Sequence, residues 1–372
     1  MERTLIATAA FGLEAVVRRE IEKLGYPVEK TENGKVTFTG HDDAIAKANL
    51  WLRAADRVLV RMAEFQAADF EELFQNIAGL PWEEWIPVDG QIIVDAGSVK
   101  STLTSVPAVQ SVSAKAVYSR LTDFYGIEHF EETGPLFPIK VTLLKDRATV
   151  TLDTTGDGLF KRGYRVQEVA APMKETLASA LVQLSFYKKD RHLADLTCGS
   201  GTIPIEAAML ARNIAPGLSR RFLAEDWPCL SPEIWKKARQ EAYAAVDLDG
   251  TLDIEAVDIE PSAIEAAKAN ADAAGVGEDI RFVCMDMADF QAEGERGVII
   301  MNPPYGERIG DREGIEHIYA SLAELREMHP DWSLFLITSD KSVEDALGKA
   351  DRRRKLYNGR LEACYYQYHG VK

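Results

Sequence analysis

The second half of the chain alternates short apolar runs with longer segments of helical periodicity, and this alternation constrains the fold more than any other feature. Five runs have the length and composition of strands: 192–196, 253–257, 281–284, 298–301 and 334–338. Five segments space their apolar residues as helices do: 170–185, 203–212, 262–274, 315–326 and 343–347. Strands that alternate with helices form a mostly parallel sheet covered on both faces. The sequence therefore predicts an α/β fold with a Rossmann-like, doubly wound sheet.

The end of the chain departs from an ordinary dinucleotide-binding fold. Segments 354–357 and 361–368 flank Asn358-Gly359, which is the strongest short-range signal for a hairpin. A doubly wound sheet that closes on an antiparallel hairpin resembles the architecture of class I methyltransferases. We therefore expect the fold of that class in residues 171–372.

The first half is organised differently and predicts two smaller α+β units. Residues 1–64 contain short strands and amphipathic helices, with a turn at Asn33-Gly34. Residues 65–154 combine helices with a strand and a hairpin. The Gly-rich stretch 154–158 marks a boundary, and residues 155–170 are expected to form a linker to the catalytic domain.

A glycine-containing turn follows the first predicted strand of the second half. Asp195 ends the strand, and Cys198, Gly199 and Gly201 lie in the turn that opens the next helix. Glycines let the backbone approach a ligand closely, and the free N–H groups at a helix start attract polar or anionic groups. We therefore expect these four residues to belong to a cofactor site. Cys198 could instead be a nucleophile, but no partner is visible in the sequence, which favours a small residue in a tight turn.

Two further carboxylates follow the next two predicted strands. Asp258 can accept hydrogen bonds from both ribose hydroxyls of a nucleoside cofactor, as in dinucleotide folds. Asp286 can accept one from the amino group of the adenine ring. The acidic residue usually lies about 20 residues beyond the glycine turn, whereas 63 positions separate Asp195 from Asp258. An insertion that contains Trp227 and Trp235 is expected to fill the difference.

The sequence Asn302-Pro303-Pro304-Tyr305 follows the fourth predicted strand. The prolines lack backbone N–H groups, so the loop presents mainly carbonyl acceptors. The amide oxygen of Asn302 and the carbonyl of Pro303 can accept both hydrogens of an –NH₂ group, and Tyr305 can stack on a flipped base. This grip would aim the nitrogen lone pair at a sulfonium methyl group. We predict catalytic roles for all four residues in methyl transfer from S-adenosylmethionine, with Asn302 also contacting this cofactor.

The composition predicts a folded protein of the reduced cytoplasm. Of 372 residues, 46% are hydrophobic and 27% are charged, which is ordinary for a globular protein. No apolar run approaches the roughly 18 residues of a membrane span, and the N-terminal sequence is amphipathic and acidic, unlike a signal peptide. The four cysteines are scattered, without CxxC spacing or a neighbouring histidine. We therefore expect neither disulfides nor a metal site.

The net charge of −16 disfavours a nucleic-acid partner, because contact with phosphates normally requires an excess of basic residues. Contact with RNA would have to depend on two local basic patches. Lys161, Arg162 and Arg165 form the first, and the run 352–355 forms the second. A solvated charged surface explains each patch equally well.

Several motifs together resemble the THUMP-domain-containing RNA methyltransferase family, and most closely its bacterial 23S rRNA guanine-N2 methyltransferases. They are DLTCGSGTIPIEAA at 195–208, DIEP at 258–261, Asp286 and NPPYGER at 302–308. The sequences KRGYR at 161–165 and APMKETL at 171–177 resemble the segment that precedes the catalytic domain in this family. There the helix start helps to hold the methionine end of the cofactor, which implies that Lys174 and Thr176 do so here.

The resemblance extends to the first half of the chain. Residues 80–85 and 98–115 resemble the family's THUMP domain, an RNA-binding module expected over 65–154, and residues 1–64 resemble its ferredoxin-like unit. The family implies S-adenosylmethionine as the cofactor and a structured RNA, 23S rRNA or a ribosomal precursor, as the partner. Guanine N2 is the favoured acceptor because NPPYGER and the THUMP pattern are most similar to those of the guanine-N2 methyltransferases of the family.

The loop at 302–305 does not by itself fix the acceptor, because adenine N6, guanine N2 and glutamine amides are all planar NH₂ groups. One alternative is an adenine-N6 methyltransferase that acts on DNA or RNA. A protein-glutamine methyltransferase is another, and the first 150 residues disfavour it. A non-catalytic RNA-binding assembly protein is the third, and it is disfavoured by five intact residues: Asp195, Gly199, Gly201, Asp258 and Asn302.

Overall fold

The computed structural model describes residues 1–167, 172–304, 312–359 and 361–371, with the backbone alone at 312 and 313. The strands of the first half are β1 (Glu2–Ala9), β2 (Val28–Glu32), β3 (Lys35–His41), β4 (Ala55–Gln66), β5 (Gln91–Val99), β6 (Leu136–Leu144) and β7 (Arg147–Asp153). Its helices are α1 (Glu14–Lys23), α2 (Asp42–Trp51), α3 (Phe70–Ala78) and α4 (Val106–Tyr125).

The second half adds further strands and helices. The strands are β8 (Leu193–Asp195), β9 (Ile254–Asp258), β10 (Arg281–Cys284), β11 (Val298–Met301), β12 (Ser333–Thr338), β13 (Arg352–Asn358) and β14 (Leu361–Tyr368). The helices are α5 (Glu175–Leu184), α6 (Thr202–Ala211), α7 (Pro232–Ala244), α8 (Pro261–Ala273), α9 (Arg312–Met328) and α10 (Val343–Leu347). Within the described ranges, no helix is long and apolar enough to cross a membrane.

The seven strands of the first half form one continuous sheet in the order β2-β3-β1-β4-β7-β6-β5. Strand β4 pairs with β1 through Ala55–Val60 and with β7 through Leu59–Gln66. The boundary that we expected at residue 64 therefore lies within a strand that both units share. An α+β region precedes the catalytic domain, as predicted.

The second sheet has the order β10-β9-β8-β11-β12-β14-β13. Strands β8 to β12 are parallel, while β14 is antiparallel to both β12 and β13. This arrangement confirms the doubly wound sheet with a terminal antiparallel hairpin. The strand order reverses between β8 and β11, and ligands of open α/β sheets bind outside the carboxyl ends of the strands at such a point.

Some elements differ from the sequence prediction. Helix α5 begins at Glu175 rather than at 170, because Lys174 has extended backbone angles. Helix α7 was not predicted, although it has ordinary start signals: Ser231 accepts a hydrogen bond from the N–H of Glu233, and Pro232 is its first residue. This helix lies in the insertion between β8 and β9.

The insertion ties the two halves of the chain together. Trp227 is fully buried and stacks on Phe137 of β6 with ring centroids 4.8 Å apart. Its indole N–H donates to the carbonyl of Leu136 at 2.9 Å. An aromatic pair in this geometry stabilises the contact by about 0.5–1.5 kcal/mol beyond the area that it buries. The extra residues before Asp258 therefore serve the contact between the two sheets.

The first basic patch expected from the sequence is not a surface patch, and that interpretation was wrong. Arg162 is 2% exposed and pairs with Glu206, which is fully buried. The side chain of Arg165 donates to Glu175 and to the carbonyl of Met173. Only Lys161 is exposed, and it pairs with Asp157. Burial of an arginine is tolerated where a carboxylate and carbonyl groups satisfy its donors.

Candidate active site

The candidate site lies at the carboxyl ends of the parallel strands of the second sheet. Asp195 and Asp258 are the last residues of β8 and β9, Asp286 follows β10, and Asn302 follows β11. Together with Pro303 and Pro304 they line one cavity of about 1220 Å³. The structure therefore brings together carboxylates that are up to 91 positions apart in the sequence, and it does so at the switch point of the strand order.

The turn between β8 and α6 is held by Asp258. The N–H of Gly199 donates to Asp258 Oδ2 at 2.8 Å, and the N–H of Glu260 donates to Oδ1 at 3.0 Å. The backbone of Gly199 has φ +54°, in the left-handed region that favours glycine. Each carboxylate oxygen keeps a lone pair that can accept a further hydrogen bond. Asp258 can thus fix the turn and bind a diol at the same time.

Gly201 has a packing role in this structure rather than a place in the cavity lining. It precedes α6 with φ +80° and ψ +16°. A Cβ atom at this position would lie 2.9 Å from the Cβ of Ala267 in α8. The absence of a side chain therefore lets α6 and α8 approach each other. The cofactor-binding role predicted for Gly201 remains a prediction.

Asp195 and Cys198 belong to the cavity lining, and both residues are buried. Burial raises the pKa of Asp195 well above its ordinary value, the neighbouring Asp258 adds to the effect, and the N–H of Thr197 opposes it. Burial also raises the pKa of the Cys198 thiol, with the same two carboxylates adding to the effect. A thiol in this environment stays protonated and is a poor nucleophile, which supports the interpretation of Cys198 as a small residue in a tight turn.

His317 in α9 lines the cavity, and the sequence analysis missed it. Its Nε2 lies 3.2 Å from Asp286 Oδ1 and 3.3 Å from Oδ2. Hydrogen bonds from the N–H of Ala288 and from His317 hold the pKa of Asp286 below its ordinary value. No motif in the sequence links His317 to Asp286, because the pairing depends on how α9 packs against the loop after β10.

Asn302 lines the cavity, and its side chain has an unused acceptor. Its Oδ1 atom is buried and has no hydrogen-bond partner among the described residues. A buried polar atom without a partner is uncommon in native proteins and requires an explanation. Pro303 is buried and Pro304 is exposed at the same cavity. Tyr305, the fourth residue to which we assigned a catalytic role, lies outside the described residues.

Lys174 and Thr176 do not line the cavity in this structure. The ammonium of Lys174 lies 4.5 Å from the ring centre of Phe160. The hydroxyl of Thr176 is within 3.4 Å of Asp56 Oδ1, at the contact with the first half of the chain. The neighbouring Met173, by contrast, does line the cavity. The cofactor roles implied for Lys174 and Thr176 remain predictions.

The described lining of the cavity is acidic. It contains Asp195, Asp258, Glu260 and Asp286, with His317 as the only basic side chain among the described residues of the lining. Such a lining attracts a cationic group and repels phosphates. Among the residues that the structure describes, no cluster of three or more His, Cys, Asp or Glu residues could hold a metal ion. The carboxylates of the lining are hydrogen-bond acceptors that suit the hydroxyl and amino groups of a nucleoside carrying a positive charge.

Three family models match successive parts of the chain. Residues 4–59 match the RlmL ferredoxin-like domain, residues 67–153 match the THUMP domain, and residues 162–367 match the RMKL-like methyltransferase domain. Together they cover both sheets.

Individual proteins are similar over the same length. The Bacillus subtilis protein named "Putative RNA methyltransferase YpsC" is 47% identical over 98% of this chain and 95% of its own length. The "Ribosomal RNA large subunit methyltransferase K/L" of Syntrophotalea carbinolica is 34% identical over 96% of this chain, which spans about half (52%) of that protein. The crystal structure of SMU.472, described as "a putative methyltransferase complexed with SAH", superposes with a TM-score of 0.94 at 42% identity, covering 100% of this chain and 99% of that one.

Proposed function

Because this chain belongs to the THUMP-containing, RlmL-type RNA methyltransferase family, we propose that it transfers the methyl group of S-adenosylmethionine to the 2-amino group of a guanine in 23S rRNA. The observation that carries the proposal is the buried, unpartnered Oδ1 of Asn302, a residue that lines the same cavity as Asp195, Asp258 and Asp286. An acceptor in that position suits the hydrogens of an amino group.

The residues of the cavity fit the cofactor. Asp258 has free lone pairs for the two ribose hydroxyls, and Asp286 can accept a hydrogen bond from the adenine amino group. The acidic lining stabilises a sulfonium charge. S-adenosylmethionine supplies an electrophilic methyl group when bound, and SMU.472, 42% identical to this chain, is described as bound to SAH.

The chain's own residues position the acceptor nitrogen. Asn302 Oδ1 and the carbonyl of Pro303 accept the two amino hydrogens, and this holds the nitrogen lone pair towards the methyl group. Proline at 303 and 304 removes two backbone donors, so that the loop presents mainly acceptors to the amino group. No strong base is required, since the methylated nitrogen loses its proton readily. Positioning and electrostatics therefore supply the catalysis.

Two findings support RNA, and ribosomal RNA in particular, as the substrate. The first half matches the THUMP and RlmL ferredoxin-like models, and the resemblance described above makes THUMP an RNA-binding module. The relative from Syntrophotalea carbinolica is named as a large-subunit rRNA methyltransferase. A guanine 2-amino group is planar and carries two hydrogens, as the Asn302-Pro303 acceptors require.

The test compares two variants: Asn302→Ala, which should impair the chemical step, and Asp258→Asn, which should weaken binding of the cofactor. Asn302→Ala should lower kcat by about 10²–10³-fold, as expected when one preorganised polar contact is lost, and should leave the Kd of S-adenosylmethionine close to that of the wild type. Transfer of tritiated methyl groups to rRNA from a strain that lacks the gene measures kcat, and calorimetry measures the Kd. If Asn302→Ala no longer bound the cofactor, the role of Asn302 would instead be to bind the cofactor.

The base and the polymer are tested separately. Mass spectrometry of rRNA nucleosides from strains with and without the gene should show one N2-methylguanine that depends on the gene. Appearance of N6-methyladenine instead would replace the base in the proposal. Methyl transfer to DNA but not to rRNA would overturn it.

A further inference from the structure

A second cavity, which shares no lining residue with the first, is lined by ten residues, of which five are arginines. It has a volume of about 450 Å³ and lies between α1, the end of α5 and the edge strand β13. Its charged lining consists of Arg18, Arg19, Glu22 and the run Arg352-Arg353-Arg354. Because these residues belong to α1 and to β13, more than 300 positions apart in the sequence, only the tertiary structure brings them together. We call this cavity the arginine groove.

The arginine groove concentrates positive charge on a protein whose net charge is −16. Its charged lining contains five arginines and one glutamate. Three arginines have partners: Arg18 pairs with Glu22, Arg353 pairs with Glu344, and Arg354 donates to the carbonyl of Gly12.

Arg19 and Arg352 remain available in the arginine groove. Both are exposed, and neither forms an ion pair with any residue that the structure describes. Their two guanidinium groups can bind anions, and they lie beside the three arginines that already have partners. Such a surface suits a polymer that carries one anionic group after another.

Phe186 forms an aromatic wall of the same groove. It is 55% exposed, and its backbone has φ +58°, a left-handed conformation that is rare for a bulky residue. At this position, two residues beyond the end of α5, glycine is the usual residue. An exposed aromatic ring beside arginines can stack on a nucleic-acid base.

The arginine groove is separate from both the methyl-transfer cavity and residues 67–153, which match the THUMP domain. Strand β13 connects it to the cavity, because β13 begins at Arg352 in the groove and ends at Asn358 in the cavity lining. Seven residues of strand span about 20 Å. A polymer that follows this edge of the sheet can therefore occupy both places at once.

Protection of an exposed sheet edge is a competing explanation, since charged side chains on edge strands prevent pairing with other chains. That explanation accounts for the arginines of β13 alone. It does not account for Arg18 and Arg19, which belong to α1, or for the exposed Phe186. Nor does it address the acidic lining of the methyl-transfer cavity, which repels phosphates and leaves the RNA backbone to be bound elsewhere.

We propose that the arginine groove binds the sugar-phosphate backbone of the RNA substrate about 20 Å from the acceptor base, with Phe186 stacking on a base of the same strand. The proposal rests on the RNA substrate of the proposed function. It assigns the positioning of RNA to the ferredoxin-like unit and to the end of the methyltransferase domain as well as to the THUMP domain.

The test is the full-length double variant Arg19→Glu/Arg352→Glu, with rRNA from a strain that lacks the gene as the probe. Both positions are exposed, so folding should be unaffected. The Kd for rRNA should rise by about tenfold or more, and the slope of log Kd against log salt should fall by about 2, since each phosphate contact contributes about one to that slope. The KM for rRNA should rise in parallel, while the Kd of S-adenosylmethionine should not change.

Arg221→Glu is the control, because this arginine is 74% exposed and lies outside the groove. It should bind rRNA as the wild type does. An unchanged Kd and salt slope in the double variant, or an equal loss in Arg221→Glu, would overturn the proposal. A third outcome would also overturn it. If the double variant bound rRNA as the wild type does but no longer bound vesicles of phosphatidylserine and phosphatidylcholine, the groove would be assigned to a membrane. Failure of the proposed function would look different, because the wild type itself would transfer no methyl group to rRNA.

A separate variant tests the stacking role. Phe186→Gly removes the ring and suits the left-handed backbone, so a loss of affinity could not be attributed to misfolding. We expect the Kd for rRNA to rise about fivefold or more, as when a stacked base loses its aromatic partner. An unchanged Kd would refute the stacking role.

Discussion

Substitution of Gly201 by alanine tests whether this glycine is required for the packing of α6 against α8 or for contact with the cofactor. Two independent effects are expected from the structure. A non-glycine residue in the left-handed region, here at φ +80°, is destabilised by about 1–2 kcal/mol. The new Cβ would also lie 2.9 Å from the Cβ of Ala267 and 3.2 Å from its Cα, and overpacking of this kind destabilises by about 1–3 kcal/mol. The free energy of unfolding should therefore fall by about 2–5 kcal/mol.

Gly275→Ala provides the matched control. Gly275 has a similar φ of +74°, but a Cβ atom there would meet nothing within 4 Å. Its substitution should lower the free energy of unfolding by the conformational part alone, about 1–2 kcal/mol. Equilibrium urea unfolding measures both variants, because a shift in midpoint at constant slope reports a change in stability.

A compensating substitution separates the two effects further. Ala267→Gly in the Gly201→Ala background removes the 2.9 Å contact between the two Cβ atoms but leaves the 3.2 Å contact with the Cα of residue 267. It should therefore restore part of the roughly 1–3 kcal/mol of overpacking, less the roughly 1 kcal/mol that glycine costs inside a helix. Calorimetry should show an unchanged Kd for S-adenosylmethionine in folded Gly201→Ala. If Gly201→Ala proved no less stable than Gly275→Ala but bound the cofactor more weakly, Gly201 would face the cofactor and the packing argument would be refuted.

Two further predictions concern the carboxylates of the cavity. Asp258→Asn should raise the Kd of S-adenosylmethionine by about tenfold or more, because hydrogen bonds to a charged group contribute about 1.5–3 kcal/mol; an unchanged Kd in calorimetry would exclude Asp258 from the cofactor site. Asp195→Asn should be more stable than the wild type at neutral pH. Burial raises the pKa of Asp195 above its ordinary value of 3.8, so folding favours the protonated carboxyl group. The contribution of this group to stability is therefore present at a pH below 3.8 and is lost as the pH rises through its raised pKa in the folded protein. The advantage of Asp195→Asn in urea unfolding should therefore shrink as the pH falls towards 4, and equal midpoints at every pH would contradict this reasoning.

Periodicity was sufficient to predict most of the second sheet. The bounds of β10, β11 and α10 agree with the sequence prediction residue for residue. A buried parallel strand and an amphipathic helix each carry their period in a short stretch of sequence, so local patterns identify them. Strand β2 was missed because its residues Val28–Glu32 are mostly exposed and charged, and its pairing with β3 is a tertiary property.

The basic patches show where local sequence misleads. Residues 161–165 and 352–355 are both rich in basic residues, yet Arg162 and Arg165 are paired with buried carboxylates and carbonyl groups. Arg352 remains exposed in a groove with Arg18 and Arg19. Whether an arginine is available depends on which carboxylates surround it after folding, and no spacing rule encodes that.

The sequence by itself predicted the chemistry that we propose for this protein. Asp195 and Asp258 each end a strand, Asn302 follows one, and the prolines after Asn302 leave mainly acceptors in the loop. These are properties of residue type and of position along a strand, which the sequence shows directly. Only the tertiary structure decided which groups meet: His317 with Asp286, Gly201 with Ala267, and the two ends of the chain in the arginine groove. The physical reason is that local propensity acts over a few residues, whereas contacts between helices and sheet edges depend on packing of the whole chain.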